Sequence, residues 1–563
     1  MVRTHRPLAK KAYGSLDQLL TARQAGPYHA CPVVTAAETI LYVCVAIMAA
    51  LNSIYFKKPP LQPIWGMWPE KRKHINMKTA ELVFIPFSAA GHLMPVVESA
   101  KLLLKRDHRL FVTVLIMKMP MDTGVTDYTQ SLYRDSTDRL KLVELPQADN
   151  ILELVRLPPF AFLSAFISSQ MTQVRSFIAD TKNRPGSTPL AGIVIDMLNT
   201  AMIDVANEFK LPTYVFYISS AAFLGITSDL ESLSDQHGQD VTELSDDNSC
   251  DKELSFPSFF NPVPSKVLPS VVLDKEGGST TQMSMSKRLR ETKGIMINTF
   301  LELEPHALKY LSDDEKTPPV YSVGPVLNVK GGGDGPSTCH SEYSDDPVIS
   351  WLDDQPPSSV VFLCFGSMGT FDGGQVKEIA NALERSGHRF LWTLRRPAAG
   401  ESQNPEEVFP QGFLERTTGV GKVVGWAPQK EVLSHSAVGG FVSHCGWNSI
   451  LESVWYGVPM ATWPMFGDQQ ILAFEMVKEL EMAVEIKLDY RKEFLSTSTT
   501  AMVVTSEEIE SGIRRLMDSG NERRKKVKEM KEKSRTAVLE GGSSYASLGR
   551  LIEDIMDNIP QPV

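Results

Sequence analysis

Residues 426–469 read WAPQKEVLSHSAVGGFVSHCGWNSILESVWYGVPMATWPMFGDQ. At the centre an apolar run, AVGGFVS, ends in a His-Cys-Gly turn, and the turn opens a helix that begins at Trp447 and Asn448. A buried strand feeding a helix through a glycine turn is a unit of a parallel sheet, because parallel strands need helical crossovers and are covered on both faces. The same alternation lies upstream. SSVVFLCFGS (358–367) reads as strand and glycine turn, QVKEIANALERSG (375–387) as helix, and RFLWTLR (389–395) and KVVGW (422–426) as further strands.

Further outward the pattern occurs a second time. AELVFIPF (80–87) is a short apolar strand ended by SAAGH, and Pro95 is placed to be the first residue of a helix PVVESAKLLLKR. LFVTVLI (110–116), AGIVID (191–196) and TYVFYI (213–218) follow as strands, with AMIDVANEF (201–209) as an intervening helix. Between the two blocks, 317–347 holds PP, GGG, GPS and SDDP and reads as a connector. The fold class is therefore α/β, with two Rossmann-like, doubly wound parallel-sheet domains. The expected division is 77–320 for the first domain, 321–340 for the linker and 341–540 for the second domain. A last segment, 541–563, contains a helix over about 545–558 with Leu548, Leu551, Ile552, Ile555 and Met556 at helical spacing. The charged stretch 521–533 interleaves acids with bases and reads as a solvated helix face.

The chain has 563 residues, 42% hydrophobic and 22% charged, and a formal charge of −10 with a pI near 5.7. That size suits two domains, and the acidity argues against a nucleic-acid surface, which needs a basic footprint. Cys31, Cys44, Cys250, Cys339, Cys364 and Cys445 are scattered without a CxxC pair, and no Asn-x-Ser/Thr sequon occurs. Neither a zinc site nor a disulfide framework is signalled, and a reducing, cytoplasmic setting is expected. Residues 1–76 stand apart. The uncharged run 39–56 has the lower-limit length of a membrane span and equally that of a buried helix. The following Pro-rich, basic stretch reads as linker. The preferred reading is that translation begins at Met77; an N-terminal membrane anchor is the alternative.

The chemistry concentrates in 426–469. A helix N-terminus offers free N–H groups and a positive dipole end, so Asn448, Ser449 and neighbouring amides suit a diphosphate, with His444 as a further donor and without a metal. Glu452, three residues on from Ser449 on the same face, suits two ribose hydroxyls. Each residue has a plainer reading: Trp426 and Trp447 as core aromatics, Glu452 as a solvated helix residue, Cys445 as a small packed side chain. GVGKVVG (419–425) lacks the dinucleotide spacing, and the glycines at 331–333 lack the lysine of a phosphate loop. Only the joint spacing raises the set above its parts.

That spacing resembles the signature box of plant secondary-product UDP-dependent glycosyltransferases, family 1, over the box's full length, and the likeness extends across 77–563. The resemblance implies the two-lobed GT-B fold with the final helix returning to the first lobe. It implies that Trp426 stacks on uracil while Gln429 and the Ala427 backbone read its edge. His444, Gly446, Asn448 and Ser449 would hold the phosphates with Ser367, Glu452 the ribose, and Trp447, Asp468 and Gln469 the sugar. A final Gln in the box is associated with glucose. It further implies that His92 is the base and Asp196 the carboxylate that orients it, a pairing that stabilises the imidazolium as it forms. Asp196 is also readable as a cap of the following helix, and Asp204 competes for the same role, but Asp204 falls inside AMIDVANEF and Asp196 is preferred. A helix N-terminus just after His92 would disfavour the imidazolium and keep a neutral base.

The activity so implied is inverting transfer of glucose from UDP-glucose to a hydroxyl of a small apolar acceptor, such as a flavonoid, phenolic or terpenoid, by a monomer without cofactor. Alternatives are another donor, such as UDP-galactose or UDP-xylose, and a nucleotide-sugar-binding protein without transfer activity. The apolar segment 151–175 either lines the acceptor pocket or is a core helix.

Overall fold

The computed structural model describes residues 78–119, 132, 137–147, 150–245, 252–328, 346–395, 408–492, 502–520 and 522–559. The run 39–56 and Cys31, Cys44, Cys250 and Cys339 lie outside the described residues. Among those described, no helix is long and apolar enough to cross a membrane, and Cys364 and Cys445 are free and buried.

Strands β1 (Ala80–Ile85), β2 (Leu110–Ile116), β3 (Leu140–Glu144), β4 (Leu190–Asp196), β5 (Thr213–Tyr217), β6 (Gly294–Ile297) and β7 (Val320–Ser322) form one seven-stranded sheet. Its order is β3-β2-β1-β4-β5-β6-β7, and every neighbouring pair is parallel. Strands β8 (Val360–Cys364), β9 (Arg389–Thr393), β10 (Gly421–Val424), β11 (Val438–Ser443), β12 (Met460–Thr462) and β13 (Ala483–Glu485) form the other, in the order β10-β9-β8-β11-β12-β13 and again all parallel. In each sheet the order reverses beside the first strand, between β1 and β4 and between β8 and β11. A crevice opens at the carboxyl ends of strands at such a switch point.

Five helices matter below: α1 (Ala90–Arg106), α2 (Pro159–Asn183), α3 (Gly373–Ser386), α4 (Trp447–Tyr456) and α5 (Ser543–Asp557). Alternation along β1 explains how the first sheet is covered. Leu82 and Phe84 pack with Leu93 and Val97 of α1 and with Leu551, Ile552 and Ile555 of α5, whereas Val83 and Ile85 pack on the opposite face with Phe166, Val174 and Ile178 of α2. Burying each of those α5 side chains stabilises the docked helix by about 2 kcal/mol. Polar contacts fix its register: Tyr214 donates to Asp554 at 2.6 Å, and the Asn558 amide to Ala191 O at 3.0 Å. In the second half α3 starts at an Asp372 cap that accepts from the Gln375 N–H, and its Val376, Ile379 and Leu383 cover Val361 and Leu363 of β8.

Two expectations change. β7 carries the first sheet to Ser322, and Val323 and Val326 are buried in its core, so the residues from 321 assigned to a linker start as sheet. α1 begins at Ala90, with Pro95 inside it. Of the segment 151–175, Leu154, Phe166, Ile167 and Val174 are buried in the core, while Leu152, Val155 and Leu157 are exposed.

Candidate active site

The first sheet delivers two titratable side chains to its switch point. β1 ends at Ile85, and the chain enters α1 so early that His92 lies in the first turn, its N–H donating to Ala89 O at 2.9 Å. β4, the next strand, ends on Asp196, whose Oδ2 lies 2.9 Å from His92 Nδ1. Asp196 is fully buried, and its Oδ1 accepts from the Leu198 N–H at 2.9 Å. The Asn199 amide donates to Ile85 O at 2.9 Å and ties the two strand ends together. The Phe87 ring meets the imidazole edge-on at 5.6 Å. Asp204, the competing carboxylate, is instead paired with Arg288.

The His92 side chain is 27% exposed. Burial pulls its pKa down, but the facing Asp196 carboxylate, through charge and hydrogen bond, and Asp468 push it up, and the net direction is above the ordinary 6.5. The helix terminus was expected to keep the imidazole neutral. Two nearby anions outweigh it, since opposite charges within a few ångströms act more strongly than a terminal half-charge.

The turn at the second switch point is built from glycines and a buried imidazole. Ser367 follows β8 and His444 follows β11, strands that pair through Cys364 and Ser443. Gly366, at φ +73°, and Gly446 flank the imidazole of His444: a Cβ on either would lie 2.5 or 2.7 Å from Nε2. Only glycine admits the ring so close to both backbones. Burial in that slot holds the His444 pKa down to about 4. Burial likewise pushes the Cys445 thiol up to about 12, so it is a packed side chain and not a thiolate.

α4 opens here with no side-chain cap and no acid in its first turn, which leaves its positive end to a ligand. Gln429 donates to Ser449 Oγ at 3.0 Å and to Glu452 Oε2 at 2.7 Å, so these three are held together. Burial raises the Glu452 pKa, and the Gln429 bond opposes it. Trp426 is 55% exposed beside the buried Ala427, and its ring borders a cleft of about 780 Å³ with Ser367, Arg395, Phe409 and Gly425.

Between the lobes, side chains beside the two switch points join the second half to the first. Asp468 Oδ2 accepts from Ser219 Oγ at 2.6 Å, Asn448 Nδ2 donates to Gly91 O at 2.8 Å, and Trp447 Nε1 donates to Asn298 O at 2.7 Å. Trp447 is correspondingly buried, and its indole N–H is committed to the first lobe. The Gln469 side-chain carbonyl accepts from Met465 and Phe466 N–H at 2.9 and 3.1 Å, so its NH₂ is the end it offers a ligand. Sequence reasoning missed Ser219, Asn199 and Asn298. Ser219 and Asn298 follow β5 and β6 at their carboxyl ends, the positional signal that marks crevice residues in such sheets.

The family described as UDP-glucoronosyl and UDP-glucosyl transferase matches residues 347–506. UDP-glycosyltransferase 101 of Panax ginseng is 52% identical over 488 residues, covering 85% of this chain and 100% of that one. UDP-glucose flavonoid 3-O-glucosyltransferase 6 of Fragaria ananassa is 52% identical over 492 residues, covering 85% and 99%. Among solved structures, Medicago truncatula UGT71G1 complexed with UDP-glucose superposes with a TM-score of 0.74 at 42% identity, over 85% of this chain and 98% of that one. A transferase from Siraitia grosvenorii in complex with UDP gives 0.71 at 44%, over 85% and 100%. With two doubly wound sheets meeting at their switch points in the GT-B arrangement, the chain belongs to the plant UDP-glycosyltransferases of family 1 and is a glycosyltransferase that uses a UDP-sugar donor.

Proposed function

We propose that this enzyme transfers glucose from UDP-glucose to a hydroxyl of a small, partly apolar acceptor, with inversion at the anomeric carbon. The single observation that carries the reading is the His92–Asp196 pair at 2.9 Å on the edge of the first sheet, facing the donor turn of the second. With Nδ1 bound to Asp196, Nε2 is the nitrogen left to take a proton. His92 accepts the acceptor's hydroxyl proton as the oxygen attacks C1 of the sugar. The new O–C1 bond forms as the bond from C1 to the β-phosphate oxygen breaks on the opposite face, so an α-linked donor gives a β-glucoside and UDP leaves. Asp196 stabilises the imidazolium that forms.

The leaving diphosphate is met by fixed donors: the first-turn N–H groups of α4, Asn448, Ser449 and neutral His444, with Ser367 and Gly446 closing the turn. Such donors stabilise charge as it develops without reorganising, and the reaction then needs neither metal nor cofactor. Uracil stacks on exposed Trp426 beside Ala427 and Gln429, Glu452 binds the ribose, and Asp468 and the Gln469 NH₂ bind the sugar. The named activity of the Fragaria relative supports a flavonoid or related phenolic as acceptor. The test is a transfer assay with UDP-glucose and a panel of flavonoids, simple phenols and terpenoid alcohols, reading product mass and the anomeric proton coupling. A product heavier by one hexose with β coupling is expected; an α-glucoside would overturn inversion, and UDP-glucose binding without product across the panel would overturn the acceptor class.

A further inference from the structure

We propose that Pro95 is a positioning residue, acting by what it lacks. In an α-helix the carbonyl of residue i accepts from the N–H of residue i+4. α1 begins at Ala90, so the partner due to Gly91 O is the N–H of residue 95, and a proline there has none. Gly91 O instead accepts from Asn448 Nδ2 at 2.8 Å, across the cleft from the donor turn of the other lobe. His92 is the very next residue.

Pro95 thus converts an intrahelical bond into a bond between lobes, and ties the turn that carries the base to the turn that carries the diphosphate site. α1 has little freedom to compensate, because Leu93, Val96, Val97 and Ala100 are all fully buried and fix its rotation. Asn448 is suited to the double task. Its NH₂ has two protons, one given to Gly91 O and one available to a phosphate oxygen, and its Oδ1 is buried without a hydrogen-bond partner. The inference rests on His92 being the base.

The test compares wild type, Pro95→Ala, Asn448→Ala and the double variant, measuring kcat and KM for UDP-glucose, UDP affinity by calorimetry, and Tm. Alanine restores the N–H that satisfies Gly91 O within α1, and removes a residue that weakens helices. Pro95→Ala is therefore expected to keep or raise Tm and to leave UDP affinity unchanged. Its kcat should fall about tenfold, within the range that sub-ångström to 1 Å displacements of reacting groups produce. Because both substitutions break the same bond, the double variant should have the kcat of Asn448→Ala alone. A wild-type kcat in Pro95→Ala, losses that multiply in the double variant, or a fall in Tm with kcat and affinity together would each overturn the proposal. His92→Ala in the same series separates the two readings. If it turns over normally the base assignment fails; if it is inactive while Pro95→Ala is normal, only the link between lobes fails.

Discussion

The two sheets share a strand order and place their chemistry at the same topological point, yet the two switch points are made of opposite materials. Between β1 and β4 lies an ionisable pair, His92 and Asp196, with the Asp468 carboxylate near enough to raise the imidazole further. Between β8 and β11 lies a slot of glycines around a histidine held near 4, followed by an uncapped helix. The contrast follows from the work assigned to each. A base must change protonation during turnover, so it needs a pKa within working range and a partner that tolerates both forms. A diphosphate site must present the same donors before and after, so it gains from groups that do not titrate.

The comparison is broken most directly at the first point. His92→Ala is expected to lower kcat by about 10²–10⁴, the usual worth of a positioned general base, while UDP binding by calorimetry is unchanged. Loss of UDP affinity would mean that the lobes do not divide the work in this way. Asp196→Asn is subtler and more telling. Removing the carboxylate removes the main influence raising the His92 pKa. Since the base acts only when unprotonated, activity in the native enzyme falls as pH drops through that raised pKa, above 6.5. In the variant the acid limb of kcat/KM should move to lower pH, and the plateau should fall about 10²-fold as the ring loses its orientation. A limb that stays in place would assign the titration to another group.

How much of this is legible in the sequence depends on how local each cause is. The strands at 80–85, 110–116, 190–196 and 360–364 are near-continuous apolar runs, and read as such because both their faces are buried. β12 and β13 have three residues each, too short for any periodicity, and β3 interleaves Lys141 and Glu144 with its apolar residues. The proposed donor residues other than Ser367 lie within one 44-residue stretch, where their spacing can be read as a set. His92 and Asp196 were assignable only through resemblance, because 104 residues separate them and only the sheet order brings them together. The start of α1 was misjudged for a related reason: a proline is normally excluded from a helix interior, and the group that satisfies the carbonyl it frees at Gly91, Asn448, lies 357 residues from that glycine. Ser219 and Asn298 carry no local signal beyond following a strand.

The second switch point can be sharpened by a smaller change. Gly366→Ala places a methyl 2.5 Å from His444 Nε2 at a backbone φ of +73°, so the ring must leave its slot or the turn must open. The expected outcome is a KM for UDP-glucose raised about tenfold, the cost of one poorly made charge-assisted hydrogen bond, with the acid limb of kcat/KM where it was. A shifted limb would show the two points to be electrostatically coupled.

The smallest effect expected is none at all, and it tests the contrast from the other side. A histidine with a pKa near 4 stays neutral across pH 5.5–8, so its hydrogen bond to the diphosphate does not change over that interval. UDP affinity measured in the His92→Ala background, where the base no longer titrates, should then follow the second ionisation of UDP's own terminal phosphate and that of Glu452, which burial raises. The same measurement with UDP-glucose, whose diphosphate is a diester without that ionisation, should then report only the buried donor-site acids Glu452 and Asp468, whose pKa values burial raises, and be flat once they are replaced by Gln and Asn. A rise in UDP-glucose affinity toward acid pH in that background would mean that the bound diphosphate draws a proton onto His444, and that the second switch point, like the first, works by changing charge.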